Sequence, residues 1–159
     1  MIQKKITFAA KDTDVLEWNG DLLAVGVTEK DVVKDDNNNF TNPLLQKLDA
    51  LLGGLLAEAS SEEDFSGKSG QAIVLRVSGL SFKRVGLFAL GQSASRAAAF
   101  VGLGEAIAAA AQASRAVSVA FSLAFSADLS DEWKPAIASS IAIGTSSINV
   151  KLSTFSELQ

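Results

Sequence analysis

The sequence of 159 residues contains no histidine, no cysteine and no tyrosine, and it has only two prolines and one methionine. Without cysteine, the chain can form no disulfide, no thiolate zinc site and no thiol nucleophile. Without histidine, it lacks the usual general base and the commonest imidazole ligand for a metal. These absences are the strongest chemical constraint that the sequence imposes.

Charge and hydropathy limit the partners. The formal net charge is −4, and the lysines and arginines are dispersed, whereas binding to phosphate backbones needs a concentrated basic surface. The longest apolar stretch, residues 97–113, is mostly alanine and is interrupted by Glu105, so it is too short and too weakly apolar to span a bilayer. No signal or transit peptide is recognisable at the start. We therefore expect a cytoplasmic protein with neither nucleic acid nor membrane as a partner.

The hydrophobic pattern alternates between strands and helices. A continuous apolar run at residues 21–27 is typical of a strand buried on both faces of a sheet. Asn42-Pro43 supplies an N-cap and a proline at the first helical position. One apolar helix face should follow, ended or weakened by Gly53-Gly54, and it comprises Leu44, Leu48, Leu51, Leu52 and Leu55.

Further along the chain, a hairpin should join two strands, and an alanine-rich helix should span residues 97–113. Strict alternation at residues 117–125 predicts another strand, and a last helix should begin near Ser130. The other predicted strands are residues 5–9, 72–77 and 84–90. This order predicts an α/β fold with a mixed sheet and helices on both faces.

Several segments could be read as functional sites, but each has a structural interpretation that we prefer. The glycines at 86, 91, 102 and 104 lack the spacing and the lysine of a nucleotide-binding loop, and they suit close packing or tight turns. Residues 35–39 lack the alternation and the terminal glutamate of a calcium loop, so we expect a solvated loop. Residues 62–64 should form a solvated acidic turn, and Trp18 and Trp133 should be core or edge residues. We assign no catalytic, cofactor-binding or metal-binding residue.

One ordered series is more specific. It comprises the charged loop at residues 62–71, then Leu75-Arg76, and then residues 83–92, a strand that ends on Gly91. The series resembles the amino-terminal domain of the leucine aminopeptidases, and it is most similar to their plant members. The resemblance runs from about residue 5 to residue 145, and it implies a macro-domain-like, three-layer α/β/α sandwich at residues 1–145. Residues 146–159 do not fit the family, so we expect a divergent tail, either frayed or forming an edge strand at residues 149–152.

The resemblance also implies a function. Members of this family are hexameric, metal-dependent peptidases whose catalytic residues and two divalent metal ions (Zn, Mn or Mg) belong to a carboxy-terminal domain. The catalytic signature of that domain does not occur in this sequence, so no catalytic or metal residue carries over and the chain alone should be inactive. We expect a non-catalytic domain with an assembly or regulatory role, whose partners are full-length aminopeptidase subunits. The alternative, based on fold analogy, is a module that binds ADP-ribose or another nucleotide.

Overall fold

The computed structural model describes residues 7–11, 18–92, 97–116, 118–124 and 151–155. Within them, strands and helices alternate as the hydrophobic pattern predicts. The elements are β1 (Thr7–Lys11), β2 (Gly20–Val27), α1 (Pro43–Leu51), α2 (Leu55–Glu62), β3 (Ala72–Arg76), β4 (Phe82–Ala89), α3 (Ala97–Ala113), β5 (Ser118–Leu123) and β6 (Lys151–Phe155).

The strands form one mixed sheet in the order β1-β6-β5-β2-β4-β3. Four neighbouring pairs are parallel, and β3 runs antiparallel to β4, to which it is joined by the predicted hairpin. Strand β2 lies between β4 and β5, which explains its continuous apolar sequence, because both of its faces are covered. The predicted mixed sheet is therefore confirmed.

Helices cover both faces of the sheet and define two hydrophobic cores. On one face, Leu23 and Val25 of β2 share a buried cluster with residues of α1 and α2, such as Leu45 and Leu56. On the other face, Leu22 shares a cluster with large residues of β4 and β5 and with the buried side of α3. That second cluster includes Phe88, Phe121, Leu103, Ile107 and Ala111. The alternation along β2 thus divides its side chains between two layers, and the result is the α/β/α sandwich.

The apolar helix predicted after Asn42 is two helices. Helix α1 ends at Leu51, and α2 begins at Leu55 after a turn in which Gly53 and Gly54 have φ values of +67° and +87°. Since the turn changes the direction of the chain, Leu51 and Leu55 are 44% and 39% exposed, although helical spacing placed them on the buried face. The glycine pair therefore ends the helix, as one reading of the sequence predicted.

The expectation for the end of the chain is wrong for residues 151–155. These residues form β6, an interior strand that pairs in parallel with both β1 and β5. Thr7 is opposite Lys151 in one register, and Val119 is opposite Leu152 in the other. Neither a frayed tail nor an edge strand describes this arrangement. The helix predicted near Ser130 and the position of Trp133 lie outside the described residues.

Candidate functional site

The carboxyl ends of the parallel strands β2, β4 and β5 meet at one edge of the sheet, where ligands of open α/β sheets commonly bind. We call this region the carboxyl edge. Its segments are bonded to one another through their backbones. Leu90 donates an N–H bond to the carbonyl of Val27 at 2.8 Å, and Ala124 donates to Gly26 at 2.9 Å. The backbone thus fixes the positions from which side chains could reach a ligand.

Asp31 lies in the loop after β2 and is only 7% exposed. Its Oδ2 accepts hydrogen bonds from the backbone N–H of Thr28 at 2.8 Å and from the Thr28 hydroxyl at 2.9 Å. Its Oδ1 accepts a bond from the side-chain amide of Asn42 at 3.1 Å. Both carboxylate oxygens therefore have protein donors, which compensates for the burial of the charge.

Asn42 connects three parts of the carboxyl edge. Its Oδ1 accepts bonds from the backbone N–H groups of Leu44 and Leu45 at 3.0 and 3.1 Å, so it is the N-cap of α1. Its Nδ2 donates both to Asp31 and, at 2.8 Å, to the backbone carbonyl of Ala124 just after β5. One side chain therefore ties the start of α1 to the loop after β2 and to the end of β5.

Gly67 and Gly91 bring residues 64–71 of the charged loop against this edge. Gly67 has φ +86°, and a Cβ on it would lie 2.8 Å from the Cα of Glu29. Its carbonyl accepts the N–H of Gly91, which has φ +84° and forms the turn after β4 that the sequence predicted. The side-chain oxygen of Gln71 accepts the N–H groups of Ser66 and Lys68 at 2.9 and 3.1 Å and so closes the loop. The close backbone contact at Gly67 leaves no room for a larger residue.

A second polar cluster surrounds Lys34. Its Nζ donates to the carbonyl of Ala57 at 3.1 Å and to the Ser61 hydroxyl at 2.8 Å, and it lies 5.4 Å from the centre of the Phe40 ring. Burial lowers the pKa of Lys34, and the negative charge of Asp49 acts in the opposite direction. The Asp49 carboxylate accepts the N–H of Ala57 at 3.0 Å. Because these groups bond to one another, the cluster fastens the loop before α1 to α2.

A depression of about 460 Å³ adjoins this cluster. Phe40 and Asp49 line it together with residues of the loop before α1, of α1 itself and of the turn after it, namely Asp35, Asn39, Gln46, Ala50, Gly53 and Gly54. Asp35 is exposed, and its Oδ1 accepts the N–H groups of Asn37 and Asn39, both at 2.9 Å. The acidic loop thus forms a turn closed by its own side chain.

The segments that the sequence offered as alternative sites belong to different elements of the fold, although the Ser61 hydroxyl donates to the side-chain oxygen of Asn38 at 3.1 Å. Residues 35–39 form an exposed loop, as predicted. Residues 62–64 are exposed as predicted, but Glu62 is the last residue of α2 and only residues 63–64 form the turn. Trp18 is buried in the core next to α1 and α2. Gly86 serves close packing, since a Cβ there would lie 2.6 Å from the Phe88 ring, but a Cβ at Gly102 would meet no atom within 4 Å among the described residues. The packing explanation is therefore right for Gly86 and wrong for Gly102.

The carboxyl-edge network is the feature that sequence reasoning missed. Asn42 was predicted only as a helix cap, and Asp31 and Lys34 were not singled out. Thr28 and Asp31, three residues apart directly after a buried strand, are a local signal for a turn closed by a side chain. No comparable signal connects Asn42 to Ala124, which lies 82 residues further along the chain.

In the described ranges, no three histidine, cysteine, aspartate or glutamate residues are grouped so that they could hold a metal ion. No helix among these residues is long and apolar enough to cross a membrane.

In the described ranges, a mixed sheet of six strands lies between two helical layers, with the carboxyl ends of β2, β4 and β5 on one edge. This arrangement defines a macro-domain-like α/β/α domain. Residues 24–152 match the amino-terminal domain of the cytosol aminopeptidase family. The chain belongs to this family, and the matched part is its amino-terminal domain.

Individual proteins agree with this assignment. Leucine aminopeptidase 3, chloroplastic, from Arabidopsis thaliana is 64% identical over 141 residues, which cover 89% of this chain and 24% of the relative. The chain thus spans about a quarter of the length of that relative. A solved structure of a mutant tomato leucine aminopeptidase is 45% identical and superposes with a TM-score of 0.88, covering 96% of this chain and 33% of the other.

The likeness to macrodomains is one of fold. The macrodomain of Thermus aquaticus DarG superposes with a TM-score of 0.69 over 98% of this chain and 100% of its own, at 12% identity. The predicted macro-domain-like architecture is therefore confirmed, and at that identity nothing about ligands follows from it.

Proposed function

We propose that this chain is the non-catalytic amino-terminal domain of a metal-dependent leucyl aminopeptidase, an enzyme that removes amino-terminal residues from peptides. The observation that carries the proposal is the match of residues 24–152 to the amino-terminal domain of the family, together with 64% identity to an Arabidopsis leucine aminopeptidase. In the parent enzyme the domain contributes to assembly and shape. The two divalent metal ions, Zn, Mn or Mg, are bound by the catalytic domain.

The bonding at the carboxyl edge supports a structural role. Asp31 and Asn42 at this edge bond to protein groups through both carboxylate oxygens and through both polar atoms of the side-chain amide. A ligand would have to displace bonds that hold α1 and the end of β5, at a cost of about 1 kcal/mol or more for each bond. Binding of ADP-ribose or another nucleotide has only the fold likeness in its favour, so we do not propose it.

A chimera tests the proposal. Residues 1–159 replace the corresponding amino-terminal part of the Arabidopsis relative, and the chimera is compared with the catalytic part alone. We expect the chimera to assemble into the same oligomer as the relative and to hydrolyse leucyl-anilide with manganese, magnesium or zinc. The catalytic part alone should assemble less completely. Identical assembly of the two proteins would refute the assembly role.

The isolated chain supplies the second arm of the test. Because metal-assisted hydrolysis needs ligands that hold an ion with an open position, we expect no turnover of leucyl-anilide with any of the three metals. Turnover that survives repurification and exceeds a mock preparation would contradict the non-catalytic assignment. The location stays a prediction as well: the Arabidopsis relative is named chloroplastic, and fluorescent tagging of the full gene product would decide between chloroplast and cytoplasm.

A further inference from the structure

The strand β3 lies at one end of the sheet order and pairs only with β4 among the described strands. The antiparallel register places Ile73 opposite Leu87 and Leu75 opposite Val85. The backbone bonds that flank the strand, Ala89 N–H to Gln71 and Val77 N–H to Lys83, show that the odd-numbered residues exchange bonds with β4. The N–H and C=O groups of Ala72, Val74 and Arg76 therefore point away from the sheet.

These three outward residues form the β3 edge. Within the described ranges, their backbone groups have no hydrogen-bond partner. Unpaired strand edges template the addition of another strand, and proteins commonly block them with lysine, proline or a bulge. The sequence of β3, Ala-Ile-Val-Leu-Arg, contains no lysine or proline, and its register with β4 is unbroken. Val74 at its centre is 39% exposed.

A depression of about 240 Å³ lies beside the β3 edge, on the face that carries α3. Val74 and Arg84 line it together with Ala110, Ala113 and Ser114 at the end of α3. The Arg84 guanidinium donates to the Ser114 carbonyl at 3.4 Å, which holds its charge near the negative end of the helix. Since Arg84 bonds to the end of α3, the rim of the depression at Val74 is apolar. An aliphatic side chain of an added strand could pack there.

We propose that the β3 edge pairs antiparallel with the β3 edge of a second copy of this chain, about a two-fold axis at Val74. The three outward residues are centred on Val74, so a two-fold rotation about this axis maps the β3 edge onto itself. An isologous interface requires this self-complementarity. Val74 then lies opposite Val74 of the second copy, at the rim of the depression. Both sheets become one continuous sheet.

Charge favours a second copy in this register. Arg76 is the only charged residue of β3. The two-fold axis places Arg76 opposite Ala72 of the second copy, so the two Arg76 side chains do not face each other. This avoids like charges directly opposite each other, which would destabilise the strand pair. One pair of five-residue strands buries far less than the roughly 1,200 Å² at the lower end of stable interfaces, so the isolated chain forms a weak, concentration-dependent dimer.

The test uses sedimentation velocity on the 159-residue chain, from about 10 µM to about 1 mM, the range in which weak dimers form. Val74→Lys and Val74→Glu each place like charges opposite each other, and each should weaken dimerisation by at least about tenfold. An equimolar mixture of the two variants should restore it, because lysine then faces glutamate. Val33→Lys, at a loop valine that is 53% exposed, is the matched control and should dimerise like the wild type.

The outcomes are decisive in both directions. Loss of dimerisation in each variant and recovery in the mixture establish the two-fold pairing at residue 74. A monomeric wild type, unchanged single variants or a mixture that stays monomeric would each overturn it. If a charged variant fails to fold by circular dichroism, Ala72→Pro removes an outward N–H at the first residue of the strand, where proline is tolerated, and should abolish the dimer.

The β3 pairing would supply a surface and a partner for the proposed assembly role, and its relevance to the parent enzyme rests on that proposed function. The experiments distinguish a failure of the pairing from a failure of the proposed function. A monomeric chain would leave the chimera result intact, and a chimera that assembles no better than the catalytic part alone would leave the self-association of the isolated chain unaffected.

Discussion

Replacing Asn42 by alanine should destabilise the domain more than any ordinary surface substitution. The side chain makes four hydrogen bonds, two as the cap of α1 and two as a donor to Asp31 and Ala124. Loss of an N-cap costs about 1 kcal/mol. Each lost donor bond costs about another 1 kcal/mol, since it leaves a buried carboxylate and a carbonyl without that partner. We therefore expect a loss of about 2–3 kcal/mol.

The assay is reversible thermal or urea unfolding followed by circular dichroism. For a domain of this size, a loss of about 2–3 kcal/mol lowers Tm by roughly 5–10 °C. Asn42→Ser separates the two roles, because serine retains the capping oxygen but has no amide to donate to Asp31 and Ala124. Asn42→Ser should cost about half to two-thirds of the stability that Asn42→Ala costs. It removes the two donor bonds, of about 1 kcal/mol each, while the cap stays.

The control is Asn37→Ala. Asn37 is an asparagine of the exposed loop at residues 35–39, and its side chain makes no hydrogen bond within the part of the chain that the structure describes. The substitution should therefore stay within about 0.5 kcal/mol of the wild type. The reasoning would be refuted if Asn42→Ala cost no more than this control. It would also be refuted if Asn42→Ser were as stable as the wild type, since the bonds to Asp31 and Ala124 would then contribute nothing.

Three further outcomes follow from the same structure. Gly67→Ala should cost about 1–3 kcal/mol more than Gly54→Ala in urea unfolding, because both have positive φ but only Gly67 would press a Cβ against the Glu29 backbone. Burial lowers the pKa of Lys34 in the folded chain, so between that pKa and the ordinary value the unfolded chain binds more protons than the folded one. The free energy of unfolding should therefore rise with pH in this alkaline range. Lys34→Met should flatten the rise, and an unchanged slope would contradict the argument. Deleting residues 151–159 removes β6 from between β1 and β5, so the truncated chain should lose its cooperative transition, and a Tm within about 2 °C of the wild type would contradict this pairing.

Local patterns predicted the central part of the fold. The apolar run at residues 21–27 identified β2, the Asn42-Pro43 pair marked the start of α1, and the alanine-rich segment gave α3 within the same bounds. Each of these signals is complete within a few residues of sequence. The break between α1 and α2 was less certain, because Gly53-Gly54 is compatible either with a weakened helix or with two helices. Only the packed structure decides which of the leucines are buried.

Long-range pairing was not predictable in the same way. Strand β6 pairs with β1 in a register that joins Thr7 to Lys151, and the five residues of β6 carry no sign of an interior position. The resemblance read from the sequence was placed only up to about residue 145, so it gave no help for this strand, whereas the family match extends to residue 152. The same limit applies to the carboxyl edge, where Asn42 meets Ala124 only after the sheet has formed. Patterns of period two identify a strand but not its neighbours.

The distribution of hydrogen-bond partners relates the fold to its proposed role. At the carboxyl edge, where a small molecule would enter, the buried Asp31 and the partly buried Asn42 bond to the protein itself. At the β3 edge, the outward backbone groups of Ala72, Val74 and Arg76 have no partner within the described ranges. A row of outward backbone groups along a strand can pair with an added strand, so the β3 edge suits the pairing proposed above. Under the assembly role proposed above, the hydrogen bonds of Asp31 and Asn42 at the carboxyl edge would hold the sheet, and with it the β3 edge, in position for such a contact.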